Sequence, residues 1–69
     1  MNRTAVNSSA LVSVGYDRDG LVLETELTSG AIYQYFDVPE SGFLELMSAD
    51  SLGKYYNKHI RNNYRYTQL

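Results

Sequence analysis

Two glycine turns, Asp17-Arg18-Asp19-Gly20 and Thr28-Ser29-Gly30, divide the first half of this chain into pieces of six or seven residues. That length suits strands and is short for helices. Apolar residues alternate within the pieces. Ala10–Tyr16 puts Ala10, Val12, Val14 and Tyr16 on one side. Leu21–Leu27 puts Leu21, Leu23, Thr25 and Leu27 on one face and Val22, Glu24 and Glu26 on the other. The spacing predicts three antiparallel strands, near residues 10–16, 21–27 and 31–36, joined by two tight hairpins.

After Pro39 the period changes from two to three-to-four, which marks helices. Phe43, Leu44, Leu46 and Met47 fall at helical spacing within 39–48, with Pro39 in the first turn and Glu40 near the positive end of the helix dipole. Leu52, Tyr55, Tyr56, His59 and Ile60 do the same within 51–61, with Ser48 or Asp50 as the cap. The order β-β-β-α-α is α+β: a three-stranded antiparallel meander with two helices packed on one sheet face. Four-residue turns at Asp17–Gly20 and Leu27–Gly30, the first with Gly20 at positive φ, pair Tyr16 with Leu21, Val14 with Leu23 and Leu23 with Gln34. The buried face is then Val12, Val14, Tyr16, Leu21, Leu23, Leu27, Ile32 and Phe36, and Tyr33 and Tyr35 point away from it. A one-residue slip would bury both tyrosines.

With 69 residues the chain makes one domain. We assign residues 9–66 to it, 1–8 to a flexible N-terminus and 67–69 to a tail. A core of this size supports a net stability of about 3–5 kcal/mol. Cysteine is absent, so neither a disulfide nor a thiolate metal site reinforces it. No run is long and apolar enough for a leader or a membrane span, and a cytoplasmic location is expected.

No catalytic constellation stands out, and no cofactor or metal is expected. His59 is a lone histidine on the apolar side of the second helix, which reads as packing. The serines fall in turns and caps. No glycine precedes a helix at phosphate-loop spacing.

Charge is more informative. The net charge of −2 argues against a nucleic-acid binder, but residues 1–50 carry −6 and residues 51–69 carry +4. Lys54, Lys58 and Arg61 follow i, i+4, i+7, and Arg65 extends the row. The plain reading is a solvated helix face. The other is contact with phosphates, supported by the lack of interleaved acids. Tyr33 and Tyr35 divide similarly, between cross-strand packing and a platform on which unpaired bases stack.

Gly30, Tyr33-Gln34-Tyr35, Val38-Pro39, Ser51–Asn57, Ile60-Arg61 and Tyr64, in that order, resemble the KTSC domain. That domain is named after the C-terminus of certain lysyl-tRNA synthetases and also occurs as a stand-alone bacterial protein. The resemblance implies a binding role, with RNA suggested by the synthetase setting. The resulting expectation is a small non-catalytic module that binds RNA or tRNA through Tyr33, Tyr35, Lys54, Lys58, Arg61 and Arg65. The alternative is a protein-interaction or self-association module acting through the open sheet face or an edge strand.

Overall fold

The computed structural model describes residues 1–69. It runs β1 (Thr4–Ala5), β2 (Leu11–Asp17), β3 (Val22–Leu27), β4 (Ile32–Tyr35), α1 (Glu40–Ser48), α2 (Leu52–Tyr55) continued by a π-helical turn (Tyr56–Ile60), and β5 (Tyr66–Gln68). The α+β class is as expected. The sheet, however, has five strands rather than three, all antiparallel, in the order β1-β2-β3-β4-β5. Both additions are edge strands of two and three residues, too short for alternation to show. β1 lies in the segment read as a flexible terminus, and β5 takes in Thr67 and Gln68 of the segment read as a tail. No helix is long and apolar enough to cross a membrane.

Turn chemistry sets the register, and it differs from expectation at both hairpins. In the first, Asp17 caps the turn by accepting from the Asp19 N–H at 3.1 Å. The left-handed residue is Leu21, with φ 56°, not Gly20. Asp17 therefore pairs with Val22 and Tyr16 with Leu23. This is two residues from the expected pairing, and an even shift keeps the faces. In the second hairpin the Leu27 N–H bonds the Ala31 carbonyl at 2.8 Å, leaving only Thr28, Ser29 and Gly30 between them. Gly30 takes φ 95°, as a three-residue hairpin requires. Leu23 thus faces Tyr35 and Thr25 faces Tyr33. This odd shift turns Tyr33 and Tyr35 onto the same face as Leu23, the helix side. Tyr35 is 3% exposed, so its expected outward position is corrected.

The core holds Leu11, Val14, Leu23, Tyr35, Val38, Leu46, Tyr56 and Ile60. Four residues expected inside are displaced for local reasons. A bulge between Leu11 and Ser13 turns Val12 out and puts Leu11 in its place. Leu21 belongs to the turn and is exposed. Ile32 shares the opposite face with Glu24 and Gln34, as the one-residue shift demands, and the same shift leaves Phe36 outside the core, beneath the Arg65 guanidinium. Pro39 sits at the N-cap of α1 with an extended backbone, and Glu40 opens the helix. Tyr16 stacks on Phe43 of α1 at 4.8 Å and donates its hydroxyl to the Val38 carbonyl. Ser51 caps α2, its Oγ accepting from the Lys54 N–H at 3.3 Å.

One buried polar atom in this core has no partner: Thr25 Oγ1, on a residue with 0% exposure. An unsatisfied buried hydroxyl costs about 1–3 kcal/mol. Thr25→Val is therefore expected to raise the urea midpoint, with a gain of about 1 kcal/mol. A lowered midpoint would show that the hydroxyl is bonded.

The other sheet face is polar and is covered by the N-terminal segment. Arg3 Nε donates to Ser13 Oγ at 2.9 Å and its guanidinium pairs with Glu24. Gln34 Nε2 donates to the second Glu24 oxygen at 2.9 Å. Desolvation acts to raise the pKa of Glu24, but the bonds from Gln34 and Arg3, with the charge of Arg3, outweigh it. The carboxyl is held below the usual carboxylate range. A group depressed in this way contributes stability above its unfolded pKa, and that contribution is lost as pH falls through the folded value. The urea midpoint should fall as pH drops below about 4.3. Glu24→Gln should flatten that fall. An unchanged acid limb in the variant would contradict this role for Glu24.

Candidate functional site

The one-residue register shift creates a concave site instead of a flat platform. Tyr33 and Tyr35 are two apart on β4 and share its helix-side face. β5 places Tyr66 opposite Tyr35. The Tyr33 and Tyr35 ring centroids are 6.3 Å apart, and Tyr66 lies 5.8 Å from each. Tyr56, at the start of the π-helical turn, meets Tyr35 edge-on at 5.9 Å, and the two hydroxyls are hydrogen-bonded. These four rings, with Leu27, Arg61 and Asn62, line a cavity of about 120 Å³. A closed cavity of roughly 150 Å³ accepts a benzene ring, so this smaller one, open on one side, receives at most one planar ring and not an extended small molecule.

The end of the second helix brings Arg61 to the cavity. In the π-helical turn the Arg61 N–H bonds the Tyr56 carbonyl, five residues back, at 2.9 Å. Arg61 itself is extended (φ −63°, ψ 130°), so the helix stops at Ile60. Asn62 follows in the left-handed region with φ 71°, a conformation asparagine tolerates better than most residues. The chain thereby turns back toward β5. The ion pairs of the structure take Arg3, Arg18 and Arg65, which leaves Arg61 as the arginine without a carboxylate. An unpaired guanidinium beside tyrosine rings is equipped to meet an anion attached to a ring.

The Tyr35 hydroxyl at the cavity floor stays protonated. Burial pushes the Tyr35 hydroxyl far above the ordinary tyrosine range, with its Tyr56 bond adding to the effect. The rings and Arg61 supply packing, stacking, hydrogen bonding and charge.

Of the six residues expected at a nucleic-acid site, the structure brings together Tyr33, Tyr35 and Arg61. Lys54 and Lys58 lie elsewhere, in an open groove with Asp50, Ser51, Tyr55 and His59. Arg65 sits 5.3 Å over the Phe36 ring and 3.8 Å from Asp37. The single basic stripe is thus broken, because the helix ends before Arg61 and its last turn is wider than an α-turn. The same widening turns His59 outward, against Tyr55 at 4.4 Å, instead of into the core. Tyr55 donates to Glu45 at 2.7 Å, and this bond, followed by desolvation, pushes its hydroxyl up to about 12.

Sequence reasoning did not place Leu27, Tyr56, Asn62 and Tyr66 at the site. The signal available for Tyr66 was the β-rich Tyr64-Arg65-Tyr66-Thr67, which suits a strand. Nothing in one sequence says that this strand returns beside β4.

Comparison with known proteins adds a family to this geometry. The profile of the KTSC domain matches residues 7–64. An uncharacterized protein of Stutzerimonas stutzeri is 43% identical over 70 residues, spanning 100% of this chain and 99% of that protein. A lysine–tRNA ligase of Nostoc punctiforme is 34% identical over 61 residues, which cover 88% of this chain and 11% of the ligase. The crystal structure of a KTSC domain protein from Yersinia pestis superposes with a TM-score of 0.96 at 34% identity, covering 99% of this chain and 96% of that one.

Proposed function

The chain belongs to the KTSC domain family, and from that premise we propose that it is a small non-catalytic binding module, acting in the cytoplasm, whose partner is single-stranded RNA, tRNA included. The observation that carries this reading is the tyrosine-lined cavity with the unpaired Arg61 beside it. One unpaired base enters the cavity against Tyr33 and Tyr66, and Arg61 meets a neighbouring phosphate. Unpaired bases on tyrosine rings, with arginine on the backbone, are the usual means of single-strand recognition. The likeness to a segment of lysine–tRNA ligases supports the same partner class. The site therefore takes one base, where a flat sheet face would stack two.

Lys54 and Lys58 carry no carboxylate partner and are available for further phosphates along the strand. Three free cations give a log–log salt slope of about −2 for single-stranded RNA. The test is a titration of a labelled single-stranded oligoribonucleotide at two salt concentrations. Binding at low salt that weakens with about this slope supports the reading. No binding at low salt overturns it, and favours a protein partner whose side chain fills the same cavity.

A further inference from the structure

We propose that the sheet face opposite the helices is a binding site for a guanidinium group carried on an extended peptide, and that this chain fills it with its own Arg3. Glu24, Glu26, Ser13 and Gln34 share that face, because Ser13 pairs with Glu26 and Glu24 with Gln34. Glu24 is only 4% exposed and Ser13 only 8%. The acids are held in place independently of Arg3: Gln34 donates to Glu24, and Ser13 Oγ donates to Glu26 at 2.8 Å. Into this set comes one guanidinium by three of its nitrogens. Nε bonds Ser13, NH1 bonds Glu24, and NH2 lies 3.9 Å from Glu26. The fork geometry matches guanidinium, and an ammonium has no equivalent of it.

The occupant is lightly attached. β1 pairs with β2 at only Thr4 and Ala5, while β2 is seven residues long. The arm residues Met1, Asn2, Thr4 and Ala5 are exposed, and the Arg3 side chain, at 27% exposure, is the part that is seated. Gly15 of β2 leaves room for the arm backbone, since a Cβ there would come within 2.7 Å of the Asn2 carbonyl oxygen. Beyond that pairing the arm is held by the Val6 N–H bond to the Val12 carbonyl at 3.1 Å and by Val6 packing on the core, and a short edge segment of this kind opens more readily than the core. Its departure uncovers the Glu24 carboxylate, removes its cation and leaves the β2 edge without a strand. An arginine on an extended peptide from a partner protein satisfies both, by adding antiparallel to β2. The arm lies outside the residues that match the family. The face is distinct from the tyrosine cavity, which opens on the helix side.

The test uses the full-length Arg3→Ala chain and two synthetic peptides in trans. One has the sequence of residues 1–6, Met-Asn-Arg-Thr-Ala-Val; the other carries lysine in the third place. The arginine peptide is expected to raise the melting midpoint of Arg3→Ala by several degrees and to leave wild type, whose site is filled, unmoved. The lysine peptide should bind more weakly and give a smaller rise. Adding Glu24→Gln to Arg3→Ala should abolish the effect. If Arg3→Ala is unfolded alone, the arginine peptide should restore its folded circular-dichroism signal. No rise in midpoint and no recovery of fold at millimolar peptide overturns the proposal, as does an equal response to the lysine peptide.

Discussion

Ile60→Ala is expected to cost about 2–5 kcal/mol, the range for truncating a large buried aliphatic residue. Ile60 is 1% exposed and belongs to the same buried cluster as Tyr35 and Tyr56. It is also the last residue of the π-helical turn, so it holds down the point where the chain leaves the helix for Arg61 and Asn62. The expected net stability of a domain this small is about 3–5 kcal/mol. The truncation therefore removes most or all of it. The variant should show no cooperative thermal transition, or one far below wild type, by circular dichroism. Any folded fraction should also lose RNA binding, since the cavity wall hangs from this turn. Unchanged melting would mean that Ile60 is not the anchor described.

Arg61→Glu and Tyr33→Ala are the second pair of large effects, and they separate charge from stacking. Arg61 is exposed and unpaired, so its reversal should leave the fold intact. It should weaken RNA binding and reduce the salt slope by about 0.7, the contribution of one phosphate contact on a single strand. Tyr33 is half-buried at the cavity, and its truncation should cost about 1–3 kcal/mol of binding with no change in slope. Tyr35→Ala cannot serve as that probe. Tyr35 is core, and its loss would unfold the protein before it reported on binding. Equal binding by Arg61→Glu, or a slope that changes with Tyr33→Ala, would contradict the assigned roles.

The limits of sequence reading here have identifiable physical causes. The central hairpins and the helix start after Pro39 were legible because alternation and helical periodicity extend over several residues each. Register was not. Whether three or four residues lie between paired positions at Thr28–Gly30 depends on which residue takes the left-handed conformation, and that choice flips Tyr33 and Tyr35 between faces. Faces within β2 were misread for a related reason: a single inserted residue, Val12, exchanges places with Leu11. The site suffered most from the helix end. An i, i+4, i+7 row assumes an α-helix to its last residue. The π-helical turn and the extended Arg61 break the row and send Arg61 to the tyrosines while Lys54 and Lys58 stay in the groove. Tyrosine, arginine and their neighbourhood in the chain were visible in advance, but their meeting required β5 to return along β4.

The most direct test of the central claim is an NMR titration of the isotope-labelled wild-type domain with a short single-stranded oligoribonucleotide at low salt. Shift changes are expected at Leu27, Tyr33, Arg61, Asn62 and Tyr66, the residues around the cavity, with the Tyr33 and Tyr66 ring signals moving most. Shifts absent from these residues, or confined to the groove of Lys54, Lys58 and His59, would contradict a base seated among the tyrosines.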